Sequence, residues 1–385
     1  FPPPDGFQPL NFANIRPETV ITRPDQYFDT KLYTGDGANS RTISGYGFSP
    51  DFLWVKERGN IGGDFSHRLM DAVRGAGVSL SSNGTDSERD HSAQAGGGIE
   101  TFTSDGFTIE QGTSTNNNQN NNSSNYVAWA WRAGGNKNDF NVDDVGYASA
   151  AAAGLTGGSY SLTGASVGTK QGFSIVKWTH STNTAGTINH GLSEAPTFII
   201  YKSMVNDTRW TVGHNSLGWN TGLLLNSSDP KLGDDAAYFN NTAPTSSVFS
   251  IGDTGQIGNG ATIAYLWHDV PGLQKFGSYV GNESENGPFI ELGFRPALLW
   301  IKRSSDGSNG WHIADAKRSP ENVANEYLYA DTSGTEETNG SIDILSNGFK
   351  LKANAQTTNN NATYIYCAWA ESPTVNLYGG SANAR

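Results

Sequence analysis

One strand grammar is written three times along the chain, and it limits what the chain can fold into. A proline introduces an apolar run that ends in lysine: Pro50 to Lys56 (DFLWVK), Pro196 to Lys202 (TFIIYK) and Pro296 to Lys302 (ALLWIK). A short second strand follows at Phe107, Phe249 and Phe349, which is 57, 53 and 53 residues after those prolines. An aromatic run then closes each copy at Trp131 (YVAWAW), Trp267 (IAYLW) and Trp369 (YIYCAW). Each copy opens on another aromatic strand, near Phe28, Phe173 and Phe276. A period of about 100 residues is too long for a solenoid unit and matches one self-sufficient domain. Copying a module argues against an enzyme, because a catalytic site is one constellation.

Residue usage sets the fold class. The apolar residues are mainly aromatic and β-branched, and 47 glycines with abundant Asn and Ser supply turns. Such side chains suit pleated, half-buried surfaces. The expectation is an all-β protein of three tandem antiparallel β-sandwich domains, jelly-roll-like or lectin-like. Its parts are an extended, proline-rich arm (1–27), a first repeat (28–134), a Gly/Ala/Ser-rich linker or insertion (135–172), a second repeat (173–271), a third repeat (272–377) and a polar tail (378–385). Short helical pieces are expected only near 68–73 and 319–325.

Charge narrows the partners. The net charge is −12 and the 25 Lys and Arg are scattered singly, so no basic patch invites nucleic acid or an anionic membrane. No apolar run reaches the length of a membrane-spanning helix. One cysteine, Cys367, sits in an apolar strand and reads as a small buried hydrophobe. The start at Phe1 reads as the interior of a longer gene product.

Chemistry-bearing motifs are sparse. Gly164-Ala165-Ser166-Val167-Gly168 has the spacing of a nucleophile elbow, but lacks a strand before it and a helix after it. The seven histidines make no metal-binding spacing. The neighbouring carboxylates Asp143 and Asp144 are the candidate for a loop calcium site, because hard oxygen ligands cluster there. Most tryptophans recur at fixed register and read as core. Trp219, in LGWNTG, has no counterpart in the other copies and is the candidate for an exposed contact. Asn117 and Asn118, in the Asn-rich tract 116–122, are further candidates for ligand contact in a long hairpin loop. The lysines that end the proline-led strands read as snorkelling residues at a strand edge. No cofactor is implied.

Several blocks resemble a domain common in structural proteins of tailed bacteriophages, marine ones especially: YFDTKLYTGDG, GFSPDFLWVKERG, FTSDGFTI and NYVAWAWRAGG in the first copy, GFSIVKWTHS, TINHGLSEAPTFIIYK and LQKFGSYVGN further on, and GFRPALLWIKRSS, ILSNGFKL and TYIYCAWAESP in the third. The resemblance implies a non-enzymatic virion structural protein, a tail fibre or spike segment that contacts the bacterial surface through a receptor or glycan. It implies a homotrimer attached to other virion proteins, and it supplies no catalytic residues. A capsid or tail decoration protein and a polysaccharide depolymerase spike are the alternatives.

Overall fold

The computed structural model describes residues 21–59, 65–91, 97–111, 119–181, 184–252, 257–307, 309–355 and 357–374. Among them the protein is nearly all β. Helix is confined to Ala236–Phe239 and two 3-10 turns, Pro24–Gln26 and Asn215–Leu217. No helix there is long and apolar enough to cross a membrane. The helical pieces expected near 68–73 and 319–325 do not form. Arg68–Asp71 is a strand paired with Phe52–Glu57, and 319–325 holds bends and a bridge at Ala324.

Three large sheets share one strand order. The first runs Phe28–Thr34, Asn125–Trp131, Phe52–Glu57, Arg68–Asp71, Gly75–Leu80, Arg89–Asp90. The second contains Phe173–His180, Gly260–Trp267, Phe198–Ser203, Thr211–His214, Gly218–Leu224, and the third Gln274–Val280, Thr363–Pro373, Phe294–Arg303, His312–Asp315, Tyr327–Tyr329. In each, the aromatic closing strand lies between the opening strand and the proline-led strand, antiparallel to both. Pairing also corrects one alignment. Trp131 and Trp267 face Phe28 and Phe173, but Trp369 faces Gln274, so Phe276 lies two residues further along its strand.

The closing strands are apolar on both faces, and period two divides each between two interiors. Val127, Trp129 and Trp131 enter one cluster, as do Ile263, Tyr265 and Trp267, and Ile365, Cys367 and Trp369. Their alternates, such as Ala128, Leu266 and Tyr366, enter three separate clusters, each backed by a small sheet. The large sheets are therefore not beads in a row, because their inner faces share one interior. Trp131, Trp267 and Trp369 form a triangle there, with ring centroids 6.5, 5.4 and 5.9 Å apart and all three pairs edge to face. A positive ring edge against a negative ring face is the preferred geometry for such a cluster. Truncating one buried tryptophan of this kind costs about 3–5 kcal/mol.

The contacts between copies run one way round. The Asp71 carboxylate of the first copy accepts from Tyr265 Oη of the second at 2.7 Å. His214 Nε2 of the second donates to the Tyr366 carbonyl of the third at 3.3 Å. Asp315 of the third accepts from Trp129 Nε1 of the first at 3.1 Å. Trp129, Tyr265 and Cys367 hold the same register position, two residues before each closing tryptophan. The three copies thus close a ring.

Two expectations are corrected. The linker reading of 135–172 gives way to structure: Val145–Tyr147, Phe140–Val142 and Leu162–Gly168 extend the edge of the second large sheet. Small residues are needed there because backbones approach closely. A Cβ on Gly164 would lie 2.9 Å from Val73 Cγ1, and one on Gly134 2.4 Å from the Val167 backbone. The lysines Lys56, Lys202 and Lys302 are not at an edge. Their strands are flanked on both sides, and all three are buried. Backbone carbonyls receive each ammonium: Glu57 and Ser333 for Lys56, Ser203 and Asn206 for Lys202, Ser228 and Asn309 for Lys302. Burial lowers Lys202 and Lys302 to about 8.

The arm expected over 1–27 is described from residue 21, where the Ile21 amide donates to the Pro271 carbonyl at 3.0 Å. Residues 1–20, the tail 378–385, Asn117 and Asn118 lie outside the described residues.

Candidate functional site

Several buried polar side chains, Asp71, His214 and Asp315 among them, are engaged at the junctions of the ring. The sequence candidates fare accordingly. Trp219 is buried, with its ring edge to face on Phe239 at 5.2 Å, so the contact role expected for it is corrected. Ser166 lies inside a strand, fully buried; its hydroxyl accepts from Gly134 N at 2.9 Å and donates to Gly135 O at 2.8 Å, which is no nucleophile elbow. Ser79 and His91 approach to 2.6 Å, but among the described residues the His91 Nδ1 has no partner to orient the ring as a catalytic base requires. Burial holds His91 down at about 4.

Asp143 and Asp144 do meet other chemistry-bearing groups. They form the two-residue turn between Phe140–Val142 and Val145–Tyr147, with φ of 48° and 66°. Positive φ at both central positions is the type I′ hairpin geometry that Asp tolerates. The turn packs on the segment after the first closing tryptophan: Asp144 N donates to Gly134 O at 2.8 Å, and Arg132 ion-pairs with the Asp144 carboxylate. Asp143 accepts from Thr169 N at 2.8 Å and Thr169 Oγ1 at 2.6 Å.

Together with Tyr27, Lys170 and Gln171, these residues line a cleft of about 310 Å³. Tyr27 directly precedes the first opening strand, and its carbonyl accepts from Arg132 N at 2.8 Å. Lys170 is exposed and holds its ammonium 5.8 Å over the Tyr27 ring. Gln171 Nε2 donates to Ala133 O at 2.6 Å, which fixes the cleft wall. Beneath, the buried Asp51 carboxylate accepts from Ala133 N at 2.6 Å and Gly135 N at 3.1 Å. Burial raises Asp51 to about 7, against those two hydrogen bonds, which lower it.

Two carboxylates already engaged by Arg132 and Thr169, beside two cations, do not make a calcium cage. No group of three or more His, Cys, Asp or Glu able to hold a metal occurs among the described residues. Among the described residues, the cleft lining combines an aromatic ring, paired charges and an amide. Sequence reasoning found the two aspartates but missed Tyr27, Arg132, Lys170 and Gln171. The available signal was that the opening and closing strands of the first and second copies must bring their ends together here.

The chain belongs to the family described as Domain of unknown function (DUF7483), whose model matches residues 23–373. That single match spans all three copies and the segment between the first two. No curated protein matches the chain.

Proposed function

We propose that the chain is a non-enzymatic structural and binding module of a tailed-phage particle, part of a fibre or spike that contacts the bacterial surface. In this reading it consists of three β-sandwich repeats, jelly-roll-like or lectin-like, joined as one rigid body. The observation that carries it is the shared aromatic interior. Side chains that recur at fixed register serve to lock the copies together, which suits a load-bearing projection. The resemblance of the repeated blocks to phage structural domains supports the setting. Attachment to other virion proteins and a homotrimer of chains belong to the same proposal.

The test is direct. Fluorescently labelled chain is incubated with a panel of bacterial cells and their purified surface polysaccharides, while reducing ends are assayed. Saturable binding without sugar release is the expected result. Sugar release would instead identify a depolymerase. Absence of binding, with the chain located flat on a capsid or tail in particle images, would identify a decoration protein.

A further inference from the structure

The cleft marks where the threefold equivalence fails. The position of Tyr27 is held by Gly172 and Leu273 in the other copies, and that of Arg132 by His268 and Ala370. Among the described residues, the hairpin carrying Asp143 and Asp144 has no counterpart beside the other two closing strands. What recurs three times is explained by the ring. What occurs once, at an exposed cleft, is not needed to build it.

We propose that this cleft holds a single neutral sugar ring, with Tyr27 as the platform on which one face of that ring stacks; this rests on the surface-glycan reading above. Charge comes first. Arg132 and Lys170 balance Asp143 and Asp144, so the cleft offers no net field to select a phosphate, a uronate or a metal ion. A phosphate would meet two carboxylates, and a cation a guanidinium and an ammonium. A hydroxyl both donates and accepts, so a polyol can answer guanidinium, carboxylate and amide together.

The platform is supported from within. Tyr27 packs against Ile21, Val270 and Leu273. The Lys170 ammonium over the ring is exposed, where such a contact is weak, so a stacking ligand can displace it. Size sets the limit. A cleft of about 310 Å³ lies at the low end of ligand sites, roughly 300–1,000 Å³, and suits one ring rather than a chain of them.

Glucose, galactose and N-acetylglucosamine are titrated against the whole chain by saturation-transfer NMR and calorimetry, with glucuronate, inorganic phosphate and Ca²⁺ as charged probes. At least one neutral sugar should bind. Tyr27→Ala should weaken that binding by about tenfold or more, the equivalent of one aromatic contact, with the wild-type circular dichroism spectrum at the titration temperature, whereas Tyr27→Phe, which keeps the platform, should bind as wild type does. Lys170→Ala should leave it equal or tighter. Binding undiminished in Tyr27→Ala, binding of the charged probes alone, or no sugar binding at all would overturn the inference. The two readings separate cleanly: a Tyr27→Ala chain that still adheres to cells as wild type does removes this cleft and leaves adhesion standing. Sugar binding at Tyr27 in a chain that adheres to no cell does the reverse.

Discussion

The junction between the first and second copies and that between the second and third hold the same place in the ring, yet they are built from different chemistry. At the first, Asp71 sits fully buried against Arg74, whose guanidinium also donates to Leu69 O at 2.7 Å and Glu88 at 3.1 Å. Burial alone would lower Arg74, but Asp71, Tyr265 and Glu88 outweigh it and raise its pKa. At the second, His214 and Leu217 occupy the places of Asp71 and Arg74. His214 accepts from Ser216 N at Nδ1 (3.2 Å), which leaves Nε2–H to donate to the Tyr366 carbonyl. The third junction repeats the first. Arg318 pairs with buried Asp315, donates to Ile313 O at 2.9 Å and reaches Glu336 at 3.2 Å. The difference teaches that closing the ring requires a hydrogen bond across each junction and not a charge. Where Trp129 and Tyr265 supply a donor, the facing residue is an acceptor. Where Cys367 supplies none, the facing residue turns donor and uses the backbone.

The largest break in that comparison comes from halving an ion pair. Asp71→Ala, and Asp315→Ala likewise, strand a buried guanidinium and should lower stability by about 3–5 kcal/mol, read as urea midpoints. A loss under about 1 kcal/mol at either site would mean the charges are solvated after all.

Acid should separate the junctions next. Burial depresses His214 to about 4, from roughly 6.5 in an unfolded chain. A base with a depressed folded pKa contributes stability that is complete above about 6.5 and is lost as pH falls towards 4, up to about 3 kcal/mol. His190 and His312, lowered by burial to about 4 and about 3, act in the same direction. Asp51, held up at about 7, acts in the opposite direction, so the share of His214 is read by difference: between pH 8 and 4 the His214→Gln urea midpoint should lose less, or gain more, than that of wild type. Identical slopes in the two proteins would remove His214 from the account.

At pH 8, His214→Ala should cost about 1–3 kcal/mol, because the groups it leaves unpaired, the Tyr366 carbonyl and the Ser216 amide, are neutral. The smallest change is expected from Asp71→Leu combined with Arg74→Leu. Replacing both halves of a buried pair with apolar volume is close to neutral, apart from about 1 kcal/mol for the neutral donors that lose the Asp71 carboxylate, the Tyr265 hydroxyl and the backbone amides of Val73 and position 74. A double mutant as unstable as Asp71→Ala would show that the charges themselves hold the junction.

Much of this architecture was legible in the residues. The strands, their threefold recurrence and the burial of the recurring tryptophans follow from pattern alone. YVAWAW, IAYLW and YIYCAW even carried the sign of the shared interior, since a strand without polar alternation must be covered on both faces. What was not legible depends on partners distant in sequence. A lysine ending an apolar run looks like a snorkelling group until Ser333 or Ser228, from another copy, supplies its carbonyl. Leu162–Gly168 reads as low complexity, yet its Gly164 and Gly168 stand where neighbouring side chains leave no room for a Cβ. The lack of a counterpart made Trp219 read as a solvent contact, but its ring is covered by Phe239, a neighbour the pattern does not reveal. In the cleft, the two aspartates were visible as a pair, whereas Tyr27 and Lys170 meet only when the first two copies close.

A head-to-tail contact repeated with a rotation that closes has no loose end. Each copy here both offers and receives the same joint, so the sequence has used up internally the surface by which a lone copy would seek its own kind. Chains that gather into a larger body must therefore meet through other ground, on the outward sheets or the cleft side, and the number of copies round the tryptophans stays at three however concentrated the protein becomes.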